Sequence, residues 1–363
     1  MAEWIYPKHS RSHIKRIGVI LRNSDVPFSE TEAIGVLNNW KSAHELPLHY
    51  ITKTIKKYTK DVSKKNTIVQ RIKRTESILL KLDQQPKLDL ARMQDIVGFR
   101  VVFRDDDNQK NLECIKKLIL KIRSSKMRST VTRITDYIEE PRDSGYRSVH
   151  AIFKYNSTMY QKHNSMQVEL QIRTKMQHIW ATAVETVGMF EQSNLKQGLG
   201  DENWLEFFRQ MSHLMAIEEG TIKVSTEKQN ELCTELHELS NKINAALTLS
   251  SIAIQQAILH EAFKDILEKS KSSVGYMLLK LDLSPLFQGA SEPTIEIMNF
   301  ADDSETKATE QYGIWEIEAH ENQMRYVLLA KSENLMNLRR GFPNYFADLR
   351  KFIDLHNKYC SSE

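Results

Sequence analysis

Cysteine is scarce in this chain: Cys114, Cys233 and Cys360 are the only three, far apart and odd in number. A disulfide framework is thereby excluded, and so is a zinc site built on Cys-x-x-Cys spacing; a reducing compartment is expected. Long apolar runs are missing as well. No stretch of about 18 apolar residues occurs, and residues 1–16 hold no apolar core of the signal-peptide kind. The chain is therefore expected to be cytoplasmic, with no membrane partner. Neither G-x-x-x-x-G-K-S/T nor G-x-G-x-x-G is present, which removes phosphate binding of the P-loop, protein-kinase and dinucleotide types. No adjacent His-Asp pair exists either, which removes the metal phosphohydrolases that need one.

What is present is ordinary for a folded protein. The 363 residues are 40% hydrophobic and 27% charged, enough for two or three units at roughly 150 residues per domain. The net charge of +4 is modest but unevenly placed, with ten Lys or Arg against two acids over residues 53–81. A solvated helix face and an anion-binding surface suit such a run equally well.

Along the chain, Ser29 and Glu32 have capping-box spacing, and Ile34, Leu37 and Trp40 follow at helical intervals, predicting a helix over 30–43. Pro47 is expected to end it, with further helices over 50–62 and 68–82. Residues 96–103 (IVGFRVVF) are β-branched and aromatic, which favours a buried strand with Asp95 at its entrance. A helix over 111–123 and strands over 148–155 and 167–173 follow. In the last strand Val168, Leu170 and Ile172 point one way while Glu169, Gln171 and Arg173 point the other. Helices are expected over 175–187 and 204–215, and a long one over 225–269 with Leu232, Leu236, Leu239, Ile243 and Leu247 near heptad spacing. Strands over 275–281, 294–300, 313–319 and 325–329 and a helix over 344–356 close the chain. The fold class is thus α/β (α+β): a mixed sheet flanked by helices over 1–215, a helical connector over 216–270, and a small α+β domain over 271–363.

Four pieces carry the chemistry. Arg71, Lys73, Arg74 and Lys81 supply the cations that a phosphate chain demands, with Arg74 and Lys81 on one helix face that Arg71 borders. Asp95 and Glu169 are acids on otherwise apolar strands, oxygen ligands of the kind magnesium takes. Glu169 is also placed to serve as a base for an acceptor hydroxyl. Tyr146, expected to be exposed by Gly145, offers a flat partner to a purine. An acid at a strand entrance is by itself more often a cap, and a tyrosine after glycine is usually structural, so the combination carries the weight.

Taken together, Arg71-x-Lys73-x-x-x-Ser77-Ile78-x-x-Lys81, Asp95-Ile-Val-Gly-Phe-Arg100, Asp136-Tyr-Ile-x-x-Pro141-x-x-x-Gly145-Tyr146-x-Ser148-x-His150 and Glu169-x-Gln171-Ile-Arg173-Thr174 resemble, in order and spacing, the synthetase domain of RelA/SpoT proteins. The resemblance runs over residues 51–185. It implies a nucleotidyltransferase-like fold and magnesium-dependent transfer of the β,γ-pyrophosphate of ATP to the 3′-hydroxyl of GDP or GTP, giving (p)ppGpp. Arg71, Lys73, Lys81 and Arg100 would then bind ATP, and Asp95 and Glu169 would hold the metal and serve catalysis. Tyr146, His150, Gln171, Arg173 and Arg142 would form the acceptor pocket.

Two departures stand out: Thr135 where the family commonly has Lys, and Glu185-Thr186 in place of Glu-His. Arg133, Arg142 and Arg147 are candidate replacements for the missing cation. Adenine nucleotides and the tRNA 3′ end, the latter as in toxin-like relatives linked to phage defence, remain open as acceptors. A catalytically silent nucleotide-sensing module is the rival from another class, and the retained acids speak against it. No hydrolase half or ribosome-sensing segment is recognisable, so a single activity is expected. The long helix is a candidate seam for a homo-oligomer, and residues 271–363 are a candidate seat for a regulatory ligand or protein.

Overall fold

The computed structural model describes residues 4–23, 32–191, 193, 195–253, 275–282, 284–287, 294–301, 304–320, 325–332 and 349–361. Five strands make its larger sheet: β1 Asn66–Ile72, β2 Val97–Phe103, β3 Thr130–Asp136, β4 Val149–Lys154 and β5 Gln167–Thr174. They lie in the order β1-β2-β5-β4-β3. β2 runs parallel to β5, and the other neighbours are antiparallel, so the sheet is mixed as the order of elements predicts. β2 is buried at every position, which is why it reads as a continuous apolar run and not an alternating one.

The two faces of the sheet differ. Phe99, Val101 and Phe103 of β2, with Leu170 and Ile172 of β5 and Phe153 of β4, join the core formed with α1 Arg11–Asn23, α2 Glu32–Ala43, α3 Glu45–Val62 and α5 Asn108–Arg123. Each such fully buried side chain contributes about 1.5–3 kcal/mol. Because side chains alternate, Gly98 and Arg100 of β2, Glu169, Gln171 and Arg173 of β5 and His150 of β4 share the opposite face. On the second core, α6 Lys175–Phe190 and α7 Glu202–Glu219 pack with α8 Thr226–Lys242 through Trp180, Phe207, Phe208 and Leu236.

The C-terminal region divides between these cores. β6 Gly275–Asp282, β7 Thr294–Ala301 and β8 Arg325–Ser332 form an antiparallel sheet in the order β7-β6-β8. Its Tyr276, Leu278 and Leu329, with Tyr312 and Trp315 of α9 Glu305–His320, belong to the same core as α1 to α3, and β8 lies beside β1. The last helix, α10 Arg350–Cys360, sets Phe352 and Tyr359 into the second core. Among the described residues no helix is long and apolar enough to cross a membrane.

Several elements differ from expectation. Residues 66–72 are a strand, and the helix starting there in the sequence reading begins only at Thr75, as α4 Thr75–Gln84. Arg71, Arg74 and Lys81 therefore do not share a helix face. Pro47 does not end a helix but sits in the first turn of α3, where its missing N–H would have had no partner anyway. Residues 313–319 are helical: the buried positions Ala308, Tyr312, Trp315 and Ala319 follow a 4-3-4 spacing, which outweighs the local alternation of Ile314, Glu316 and Glu318. β3 is an extra strand. The long helix is interrupted at Asn244, in the left-handed region at φ 52°, and its stretch over 254–269 lies outside the described residues, as does Ser29.

Gly98 is where β2 and β5 come together. A Cβ there would lie 2.8 Å from the Glu169 carbonyl oxygen, too close for any side chain. Gly98→Ala is expected to destabilise the protein by about 1–3 kcal/mol through overpacking, read as a lower urea midpoint at unchanged m-value.

Candidate active site

Asp95 stands two residues ahead of β2, and Lys73 leaves the end of β1 beside it. The pairing is set by the backbone, since the Lys73 N–H donates to the Ile96 carbonyl at 2.8 Å. The Lys73 ammonium then donates to Asp95 Oδ2 at 2.9 Å, and that of Lys81, in the last turn of α4, to Oδ1 at 2.8 Å. Burial alone would raise the Asp95 carboxyl, but the two ammonium groups outweigh it and hold it below the ordinary carboxylate range. Glu169, one strand over, is close enough to push back against it.

Glu169 is gripped from its other side. His150 Nδ1 lies 3.0 Å from its Oε1, and Gln171 Nε2 donates to its Oε2 at 2.9 Å. Burial works to raise this carboxyl too, and His150 with Arg71 more than reverses it, leaving Glu169 far below its usual range. A carboxylate held that low accepts a proton poorly and suits a cation well. Among the described residues no group of three or more His, Cys, Asp or Glu is placed to hold a metal.

The third part surrounds Tyr146, which the structure buries at 4% exposure, against the expectation of an open ring. Gly145 at φ 84° turns the loop inward, and the Ser212 hydroxyl pins its carbonyl at 2.5 Å. The phenol oxygen lies 2.7 Å from His150 Nε2 and accepts from Arg173 at 2.9 Å. The Arg142 guanidinium lies 5.5 Å from the ring centroid and the Lys196 ammonium 5.7 Å. Burial opposes ionisation of this phenol, but Arg173, His150 and Lys196 hold it well below the normal tyrosine range. Lys196 is also ion-paired with Glu185. Burial and the neighbouring Arg173 bring Arg100 down to about 9.

Residues 70–193 match the family model described as a region found in RelA / SpoT proteins. That segment is similar to the region that RelA / SpoT proteins share. The chain is 29% identical over 147 residues to the GTP pyrophosphokinase YjbM of Bacillus subtilis, covering 40% of this chain and 66% of that protein. It is 26% identical over 137 residues to the GTP pyrophosphokinase YwaC of the same organism, covering 36% and 62%. The chain thus spans a little under two thirds of the curated relatives that it matches. The crystal structure of small alarmone synthetase 1 from Bacillus subtilis bound to its product pppGpp is 21% identical, with a TM-score of 0.41, over 49% of this chain and 89% of that one.

Within the matched segment the residues singled out in the sequence fall into two groups joined through Glu169. Lys73, Lys81 and Asp95 lie on one side with Arg71 near; Tyr146, His150, Gln171 and Arg173 lie on the other. Arg142 packs over Tyr137 and donates to its hydroxyl at 3.0 Å. Two of the candidate replacement cations turn elsewhere: Arg133 donates to Gln94 and Arg147 to Thr221. Lys196, just past the family segment, is the cation that the sequence reading misses. The only cue is the turn around it, where Gly198 and Gly200 both take positive φ and bring the chain back over Tyr146.

His150 illustrates the balance. Burial would lower it, yet Tyr146 and Glu169 raise it above 6.5. Its ionised form therefore stabilises the fold fully below pH 6.5, and that contribution fades as pH rises through the folded value. Glu169→Gln is expected to lower the His150 pKa, seen as an acid-shifted titration of its ring protons by NMR.

Proposed function

We propose that this chain transfers the β,γ-pyrophosphate of ATP to the 3′-hydroxyl of GDP or GTP, giving a (p)ppGpp alarmone, with magnesium as cofactor. The observation that carries this reading is the partly buried meeting of Lys73 and Lys81 on Asp95, beside Glu169 on the neighbouring strand. The names of the curated relatives support it.

Two carboxylates of low proton affinity match an ion that takes one or two such ligands and completes its shell with water and substrate phosphates. Asp95 and Glu169 would hold magnesium, which supplies neutralisation of the charge on the transferred group. Lys73 and Lys81 have one anion between them, so a positive charge is left over for phosphate oxygens, and Arg71 adds a second. Tyr146 is the flat partner for the acceptor base, reached when Arg142 or Lys196 leaves its face. In the reaction the acceptor 3′-oxygen bonds to the β-phosphorus of ATP. The bond from that phosphorus to the α,β-bridging oxygen breaks, and AMP departs. The hydroxyl proton passes to solvent water, and Glu169, whose proton affinity His150 and Arg71 keep low, serves as a metal ligand between the Asp95 side and the His150 side of the site.

The test uses γ-labelled ATP with magnesium and, in separate tubes, GDP, GTP, ADP and deacylated tRNA. Label is expected in the guanine nucleotides. Asp95→Asn and Glu169→Gln are each expected to reduce transfer by about a hundredfold or more, the scale of removing a principal electrostatic contact in a transfer site. Label appearing only in tRNA or ADP would overturn the acceptor assignment, and no transfer to any of them would overturn the activity.

A further inference from the structure

The C-terminal helix α9 reaches across the molecule to the helix that carries Lys81. Glu316 is buried, and its Oε2 receives the Lys41 ammonium at 2.6 Å. Its Oε1 accepts the backbone N–H of Thr75 at 2.7 Å. The Thr75 hydroxyl donates to the same carboxylate, as does the Tyr312 hydroxyl, and Lys41 also donates to Thr75 Oγ1 at 2.8 Å.

Thr75 is the first residue of α4, and Arg74 at the N-cap position makes no side-chain cap bond. An acid 241 residues further along the chain therefore does what a local Ser or Asp does elsewhere. It satisfies an otherwise unpaired amide and sets negative charge against the positive end of the helix dipole.

The location matters because of what lies at each end of α4. Lys73 stands two residues before the first residue of the helix, Lys81 sits in its last turn, and both converge on Asp95. Any fraying or tilt of the first turn would shift one lysine relative to the other. The same C-terminal region holds neighbouring parts of this side of the site. The Thr309 hydroxyl donates to Glu45 at the start of α3 at 2.7 Å, and Tyr276 and Leu329 line a small cavity with Arg71 and Ile72.

We propose that Glu316 is a positioning residue for the donor-phosphate site: by capping α4 it fixes Lys73 and Lys81 at the spacing that a triphosphate needs. The C-terminal region is then a working part of the site. This inference rests on the reading of the Lys73, Lys81 and Asp95 cluster as the place where ATP binds.

The experiment measures, by calorimetry on the full chain with magnesium, binding of an α,β-methylene analogue of ATP and, separately, of GDP. It compares the parent with Glu316→Ala, Glu316→Gln and the double variant Lys41→Met, Glu316→Leu. The double variant exchanges the buried ion pair for apolar side chains, a replacement that folds often tolerate without loss of stability, and melting temperatures are recorded for all. Glu316→Ala and the double variant are expected to bind the analogue about tenfold more weakly, the scale of one lost helix cap, with GDP affinity unchanged within about twofold. Glu316→Gln keeps an oxygen for the Thr75 amide and is expected to retain most of the affinity.

Unchanged analogue affinity in a folded double variant overturns the proposal, and so does an equal loss for GDP, which would mark a general structural role. A parent chain that binds the analogue but transfers pyrophosphate to no acceptor sinks the proposed activity and leaves this inference to be decided by the variants. A parent that does not bind the analogue overturns both.

Discussion

The grip of Lys73 and Lys81 on Asp95 is the interaction on which the site depends. Three charged groups are taken largely out of water where β1 ends and β2 begins, and removing charges from water costs several kcal/mol per ion unless each finds a partner. The partners here come from a strand end, a helix end and the entrance of a second strand. None of those elements can shift without separating charges that water reaches only in part. The ordering of β1, α4 and β2 is in this sense an electrostatic requirement as much as a packing one.

The polar face of the sheet follows the same logic one strand at a time. Arg100, Gln171 and His150 stand opposite one another in register across β2, β5 and β4. A row of polar groups is unusual on a covered sheet face. It is tolerated because neighbours complement each other: His150 with Glu169, Arg173 with Tyr146 and Gln171, Lys196 with Glu185. The other face of β2, β4 and β5 is apolar at the alternate positions except at Thr174, and it supplies the burial that holds the arrangement together.

How much of this was legible beforehand depended on the range of the interaction involved. β5 is readable because its alternation is local, and the fold class follows from β2, β5 and the helices between them. The acids are readable because a carboxylate on an apolar strand is conspicuous. β1 reads as helix in the sequence because Ile68, Val69 and Ile72 run directly into Ile78, Leu79 and Leu82 without a glycine or proline between them. Only pairing with β2 separates strand from helix there. The burial of Tyr146 has no full local signal either, since Lys196 over its ring comes from a turn fifty residues later in the chain and the hydroxyl that pins the neighbouring Gly145 comes from α7. Glu316 sat in a stretch read as a strand, so neither its helical setting nor its distant partners had a local signal.

Burial of the site in this form has a consequence for how a ligand enters it. Asp95, Glu169 and Glu185 are each already matched to cations or donors of the protein, and the cations outnumber the acids among them once Arg71, Arg100 and Arg173 are included. A polyanionic ligand therefore need not create a charged environment by stripping water from open side chains. It exchanges places with carboxylates inside an environment already polarised for negative charge, and dipoles and charges fixed before binding do not have to reorganise when it arrives. On the proposed reading a buried Tyr146 can still meet the acceptor, because the cations over its ring, Arg142 and Lys196, are long side chains whose heads can follow an incoming anion. On the same reading an uncharged molecule would offer those cations no such exchange.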